Sequence, residues 1–256
     1  MSFPVLEAED IGRTFGHVQA LQGARFRVMP GEIVALIGDN GAGKSTLVKI
    51  LSGADSPDRG TLRVGGDPVT FGSPIDAQAV GIATVYQDLS IAPELTPAEN
   101  LFLGRELLKP GVLGKLGFVD RKTMRDRAME QFDKLGVKLK SHRVPIDSLS
   151  GGQRQSVAIA RAAMWAEKLI ILDEPTAALG VVQTQRVLEL CRKVREDGTA
   201  VVLISHNMPQ VLEVADRIIV LRLGKTVAEF ETSRDDVTVD DLVRAMTSGE
   251  IKETHA

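Results

Sequence analysis

Four short runs of this chain are apolar without interruption: Ile33 to Ile37, Leu169 to Leu172, Ala200 to Ile204 and Ile218 to Leu221. A strand covered on both faces has no polar side to display, so these runs predict the strands of a mostly parallel sheet. Between them the period lengthens. Leu47, Ile50 and Leu51 follow the first run at helical spacing, and Val187, Leu190, Cys191 and Val194 precede the third in the same way. Cys191 lies on that second stripe, which predicts a packed core thiol rather than a reactive one.

Two further regions alternate. Ala24, Phe26 and Val28 are separated by Arg25 and Arg27, and Leu62 and Val64 flank Arg63. Alternation of this kind predicts half-buried strands, here an antiparallel sheet laid against the parallel core. From about residue 88 to 165 strand signals vanish. Met124, Ala128, Phe132 and Leu135 form a helical stripe, and Val157 to Trp165 is apolar nearly all round. These features predict a helical subdomain at about 88–165, inserted into an α/β core of about 1–87 and 166–247. Gly104, Pro110, Gly111, Gly114 and Gly117 predict an exposed loop within the insertion. Ser248 to Ala256 reads as a polar tail.

Composition narrows the function classes. Lys plus Arg number 31 against 34 Asp plus Glu, a net charge of -3 with no long basic run, which argues against a nucleic-acid partner. One Cys rules out an internal disulfide framework and fits a reducing compartment. No apolar stretch approaches the roughly 18 residues that a membrane span needs. Glu7, Glu9 and Asp10 stand where a secretory signal carries positive charge and then an apolar block, so an intracellular protein is expected.

The chemistry concentrates in three segments. Gly38-Asp39-Asn40-Gly41-Ala42-Gly43-Lys44-Ser45 fits G-x-x-x-x-G-K-[ST], leaving an apolar strand and opening an apolar-striped helix. Glycines let such a loop curl so that successive N–H groups face phosphate oxygens, and the helix N-terminus adds positive partial charge. Lys44 is then placed for the β- and γ-phosphates, and the Ser45 hydroxyl for Mg²⁺. Leu169 to Leu172 ends in Asp173-Glu174, which supplies a carboxylate for the metal and a second one to orient or deprotonate water. Leu149-Ser150-Gly151-Gly152-Gln153 has capping-box spacing, yet it puts two glycines in a first helical turn, where each costs up to about 1 kcal/mol relative to Ala. Bare glycines there suggest that a large anion approaches that backbone, a second phosphate contact beyond the first cradle.

In this order the segments resemble the ATP-binding subunit of ABC transporters, over about residues 5 to 247. Gly38 to Thr46 looks like the Walker A loop, Leu149 to Gln153 like the ABC signature, and Leu169 to Glu174 like Walker B with its catalytic glutamate. The resemblance implies one α/β ABC ATPase domain of the P-loop NTPase type spanning 1–256. It implies that Phe15 is the aromatic that stacks on adenine, Gln87 the Q-loop glutamine that senses the γ-phosphate and joins Ser45 and Asp173 around Mg²⁺, and His206 the switch histidine. It implies a head-to-tail pair of chains, in which Ser150, Gly151, Gly152 and Gln153 close on ATP held by the other copy. It implies membrane permease subunits as partners, on the inner face of the cell membrane.

A finer resemblance, to simple-sugar importers of the ribose, xylose and fructose type, rests on Gly38 to Thr46, Pro93 to Glu106 and Gln153-Arg154-Gln155-Ser156. It implies a periplasmic sugar-binding protein as an indirect partner. Many of that branch fuse two domains, so a single one implies a homodimer. One departure stands out: the family usually follows Pro-Thr-Ser/Ala-Ala-Leu with Asp, and here Pro175 to Leu179 runs into Gly180. A nucleic-acid-acting ABC ATPase would favour basic patches or a long coiled coil, which are missing. A P-loop kinase would leave Leu149 to Gln153 unused, and within the transport class an exporter or an importer of another substrate stays open.

Overall fold

The computed structural model describes residues 3–139 and 141–249 of the 256. The expected tail from Ser248 to Ala256 falls, beyond Gly249, outside the described residues. The chain opens with two long paired strands, β1 (Leu6–Phe15) and β2 (Val18–Val28), and then enters β3 (Ile33–Ile37) and helix α1 (Lys44–Leu51). β4 (Arg59–Val64) and β5 (Asp67–Val69) return to the first sheet, whose order is β2-β1-β4-β5, antiparallel throughout. In β2, Ala24, Phe26 and Val28 are buried while Arg25 and Arg27 are exposed, as the alternation predicts.

After α2 (Pro74–Ala79) and β6 (Ile82–Val85) come the helices α3 (Pro97–Leu101), α4 (Val112–Lys115), α5 (Arg121–Leu135) and α6 (Gly151–Trp165). The stripe Met124, Ala128, Phe132 and Leu135 is the buried face of α5. The remaining elements are β7 (Leu169–Asp173), α7 (Val181–Glu196), β8 (Ala200–Ile204), α8 (Met208–Val214), β9 (Arg217–Arg222), β10 (Lys225–Glu231) and α9 (Val239–Thr247). The second sheet runs β10-β9-β3-β8-β7-β6, parallel except for the edge strand β10.

The uninterrupted apolar runs follow from where this sheet sits. Ile33, Ala35 and Ile37 face one buried cluster with Ile170, Leu172, Val201 and Leu203, backed by α5, α6 and α7. Val34 and Leu36 face a second cluster with Ile171, Val202 and Ile204, backed by α1 and the antiparallel sheet. Period-two strands with both faces covered have no polar positions left. Cys191 is fully buried in the first cluster, and burial pushes its thiol up to about 12.

Register places the chemistry. Leu36 of β3 pairs with Ile204 of β8, and Ile204 pairs with Asp173 of β7, so Gly38, Asp173 and His206 all leave the sheet at one carboxyl edge. Val85 pairs with Leu172, which puts Gln87 and Glu174 each two residues beyond paired positions. Ligands of open α/β sheets bind outside the carboxyl ends of the strands.

Candidate functional site

The loop after β3 is shaped by glycine. A Cβ on Gly38 would lie 2.3 Å from the Leu221 carbonyl, and one on Gly43, at φ 104°, would lie 2.7 Å from the Ala20 carbonyl. Gly43 is also the N-cap of α1 and brings no side chain to its first-turn N–H groups. The Lys44 ammonium bends back and donates to the carbonyls of Gly38 (2.6 Å) and Asp39 (3.0 Å), bracing the loop from within. Burial lowers the Lys44 pKa, against the opposing pull of Glu174, Asp39 and Asp173.

Asp173 ends β7 half-buried. Burial, then repulsion from Glu174, holds its carboxyl above the usual carboxylate range, with Lys44 acting in the opposite sense. Glu174 turns into the left-handed region at φ 49° and is held there by its N–H donating to the Ile204 carbonyl at 3.0 Å. Its Oε1 lies 3.1 Å from Nδ1 of His206. His206 is positioned in turn by its neighbours: the Asn207 N–H donates to Ser205 Oγ, and Asn207 caps α8.

One cleft of about 540 Å³ gathers Asn40, Gly41, Gly43, Lys44, Ser45, Thr46, Gln87, Asp173 and Glu174. Gly38, Asp39, Ala42 and His206 support these residues without lining the cleft. Phe15 is exposed at the end of β1, under the guanidinium of Arg13 at 4.8 Å; it pairs with Val18, which does line the cleft. Sequence reasoning missed Val18, Gln19, Ala20, Gln22 and the turn Leu223-Gly224, which form the cleft's other wall. The alternation read from sequence covers Ala24 to Val28 and stops short of the first four. The Leu223-Gly224 turn goes unseen unless β10 is recognised.

The Ser150 segment stands elsewhere. Ser150 caps α6 in the expected box, with the Gln153 N–H donating to Ser150 Oγ. Ser150, Gly152 and Gln153 line a separate cavity of about 410 Å³ with Lys138, Gln183, Arg186 and Lys193. Gly152 has a reason internal to the chain: a Cβ there would lie 2.7 Å from Gln183 Cγ. Gly151 would meet nothing closer than Leu179 at 3.7 Å, so its face is open. Gly180 is the N-cap of α7 and offers no capping side chain.

Arg161 also escaped sequence reasoning, although it is the one charge within Val157 to Trp165. It reaches from α6 to the segment after Gln87, donating to the carbonyls of Ser90 (2.8 Å) and Leu89 (3.2 Å). Leu89 and Ser90 are both left-handed, at φ 59° and 44°. With Glu174, Ala178 and Leu223, five of the six non-glycine residues of positive φ among the described residues lie in or beside the cleft and the segments that flank it. Strain of this kind collects at functional sites.

Residues 21–177 match the family model described as ABC transporter. The chain belongs to the ABC transporter family. This ABC chain is 49% identical over 246 residues to a fructose import ATP-binding protein of Rhizobium meliloti, covering 95% of the chain and 94% of that protein. It is 45% identical over 244 residues to a xylose/arabinose import ATP-binding protein of Sulfolobus acidocaldarius, again covering 95% and 94%. A ribose import ATP-binding protein of Bacillus subtilis is 40% identical over 98% of this chain, which spans 49% of that longer protein. Among solved structures, an ATP-binding cassette of an ABC transporter in its ADP conformation superposes with a TM-score of 0.78 at 26% identity, covering 96% of each chain. A dimeric cassette bound to ADP and phosphate superposes with a TM-score of 0.73, also at 26% identity, covering 89% of this chain and 98% of that one. The ABC ATPase fold expected from the motifs is therefore the observed one. No helix among the described residues is long and apolar enough to cross a membrane.

Proposed function

We propose that this chain is the ATP-hydrolysing subunit of an ABC importer for a monosaccharide. In this reading two copies close on ATP beneath membrane permease subunits, which receive sugar from a periplasmic binding protein. The observation that carries the sugar assignment is near full-length identity with fructose and xylose/arabinose import proteins, 94% of each being covered. The paired arrangement is supported by the separation of Ser150, Gly152 and Gln153 from the cleft of the same chain. A second copy can complete each cleft where one chain cannot.

Within the cleft, Lys44 would release the loop carbonyls for the β- and γ-phosphates, and the uncapped N–H groups opening α1 would take the remaining oxygens. Phe15 and Val18 would flank the base. The donor set suits Mg²⁺. Burial works against the Asp173 charge, and the same cleft offers the Ser45 hydroxyl and the Gln87 amide. A cation here must be shared with phosphate oxygens and water, which is the habit of Mg²⁺. Ser45, Asp173 and Gln87 would hold it, and when bound it supplies neutralisation of phosphate charge. Glu174 would take a proton from a water as that oxygen attacks the γ-phosphorus and the bond to ADP breaks. His206 would hold Glu174 in place through its Nδ1 contact. ATP must favour the closed pair over the open one for work to reach the permease.

The test is uptake of radiolabelled fructose, xylose, arabinose and ribose in cells whose own copy is replaced by wild type or by Lys44→Ala. ATP-dependent uptake of one sugar, lost with Lys44→Ala, is expected. Uptake of all four that is indifferent to the replacement would overturn the sugar-import reading.

A further inference from the structure

The glycine-rich stretch expected to be an exposed loop is exposed, and its backbone is tied into a lobe. Leu108 and Val119 form an antiparallel bridge, the Lys109 N–H donates to the Phe118 carbonyl at 2.8 Å, and the Asp120 N–H donates to the Leu107 carbonyl at 2.7 Å. Leu107 and Val119 pack on the main core and pin the base. The turn of α4 closes tightly over the lobe: a Cβ on Gly114 would fall 1.9 Å from the Lys109 carbonyl, so only glycine fits. A chain ordered in this way displays rather than hides its large side chains. Leu108, Val112, Leu113, Leu116 and Phe118 are between 47% and 72% exposed, all within eleven residues. Val112 and Leu116 share a helical face, and the Phe118 N–H donates to the Leu113 carbonyl, which draws these groups together. Clustered exposed apolar groups on an ordered scaffold mark an interaction surface.

Charge identifies what it meets. Residues 105–121 carry Arg105, Lys109, Lys115 and Arg121 against Glu106 and Asp120, a net positive charge in a chain whose net charge is -3. Cytoplasmic loops of membrane proteins carry an excess of Lys and Arg and would repel such a lobe. The cytoplasmic leaflet is anionic, and apolar side chains interleaved with lysine suit its interface. We propose that the lobe of residues 107–119 is an interfacial element that seats on an anionic lipid surface, helping to hold the subunit against the membrane. The transport reading says where the lobe acts; whether it binds lipid stands on the lobe alone.

The experiment is flotation of the purified full-length protein with phosphatidylglycerol or phosphatidylcholine vesicles, paired with Phe118→Trp as an emission probe. Salt-sensitive binding to phosphatidylglycerol alone is expected, with a blue shift of the probe's emission over the background of Trp165. Each lysine near an anionic surface contributes about a fivefold factor, so the double variant Lys109→Gln/Lys115→Gln should partition roughly 25-fold less. The double variant Leu116→Gln/Phe118→Gln should also detach. All these positions are exposed or distant from the cleft, so ATP hydrolysis in solution should be unchanged. Equal partition by the lysine variant, or unmoved emission on phosphatidylglycerol, would overturn the proposal. So would variants that bind lipid normally yet fail to assemble with permease in detergent, since the occupant would then be protein. Inactivity of the wild-type protein toward ATP would instead count against the transport reading and leave the lobe's result to stand by itself.

Discussion

Arg161 offers a sharp test of how the Gln87 segment is held. Its guanidinium donates to the Ser90 and Leu89 carbonyls across 71 and 72 residues of sequence, and both acceptor residues are left-handed. Hydrogen bonds from a charged donor contribute about 1.5–3 kcal/mol each, and a left-handed non-glycine residue costs of order 1–3 kcal/mol. The two bonds and the two strained residues are therefore of similar size. Burial lowers the Arg161 pKa, so desolvation offsets part of what the bonds contribute. Arg161→Met keeps the apolar stem and removes both bonds, after which the segment can relax its strain. We expect a loss of no more than about 1 kcal/mol by urea denaturation, because relief of the strain and of the desolvation offsets most of what the two bonds contribute. Because Gln87 lies two residues before Leu89, its release should lower kcat for ATP hydrolysis by about 10- to 100-fold with little change in KM. Arg161→Lys, which can satisfy one carbonyl, should fall between. Wild-type kcat in a destabilised Arg161→Met protein would reduce the residue to packing and refute the positioning argument.

Asp173→Asn should raise the melting temperature without nucleotide. Its carboxyl is held above the usual range by burial, so the ionised form weakens the fold at neutral pH, and that penalty fades as pH falls through the raised pKa. Each kcal/mol relieved is worth about 2–4 °C, and hydrolysis should be lost at the same time; a lower melting temperature contradicts the sign. The Cys191 thiol, pushed up to about 12, should resist Ellman's reagent at pH 8 until urea unfolds the chain. Its contribution to stability is complete below about pH 8.5, the unfolded value, and is lost as pH climbs toward that raised pKa; rapid labelling in native buffer would disprove the burial argument. Gly180→Asp supplies α7 with a capping side chain, worth a few tenths of a kcal/mol. It displaces Gln183 Oε1, which would lie 2.8 Å from the new Cβ. ATP-dependent pairing should strengthen, and an unchanged dimer fraction in light scattering would show that a carboxylate there is dispensable.

The central strands were legible because burial on both faces erases alternation, and the predicted runs lie within the observed strands, with β7 reaching Asp173 and β9 running from Arg217 to Arg222. β10 was not, since it is an edge strand that buries only Ala228 and Phe230, on either side of exposed Glu229, and so reads as ordinary polar chain. β6 has only four residues, two of them partly exposed. The site's motifs declared themselves through backbone demands that few residues meet. Val18 and Arg161 did not, because their roles come from partners distant in sequence that only the fold assembles, Asn40 to Thr46 for Val18 and Leu89 and Ser90 for Arg161. Gly152 had looked like a ligand-facing glycine, and the structure adds a packing reason in Gln183. The exposure of 107–119 was legible from its glycines, whereas its closure was not, because glycine marks both flexible turns and tight closure.

The proposed cycle requires that the cleft of one copy be completed by the Ser150 segment of another. Light scattering on purified Glu174→Gln protein, with and without Mg·ATP, asks this directly. The residue that would take the water's proton is disabled in this variant while the phosphate cradle is kept. A monomer alone and a dimer with nucleotide are expected, with Ser150→Arg in the same background returning the monomer while still binding ATP. A Glu174→Gln dimer that forms equally well with Ser150→Arg would contradict the composite site.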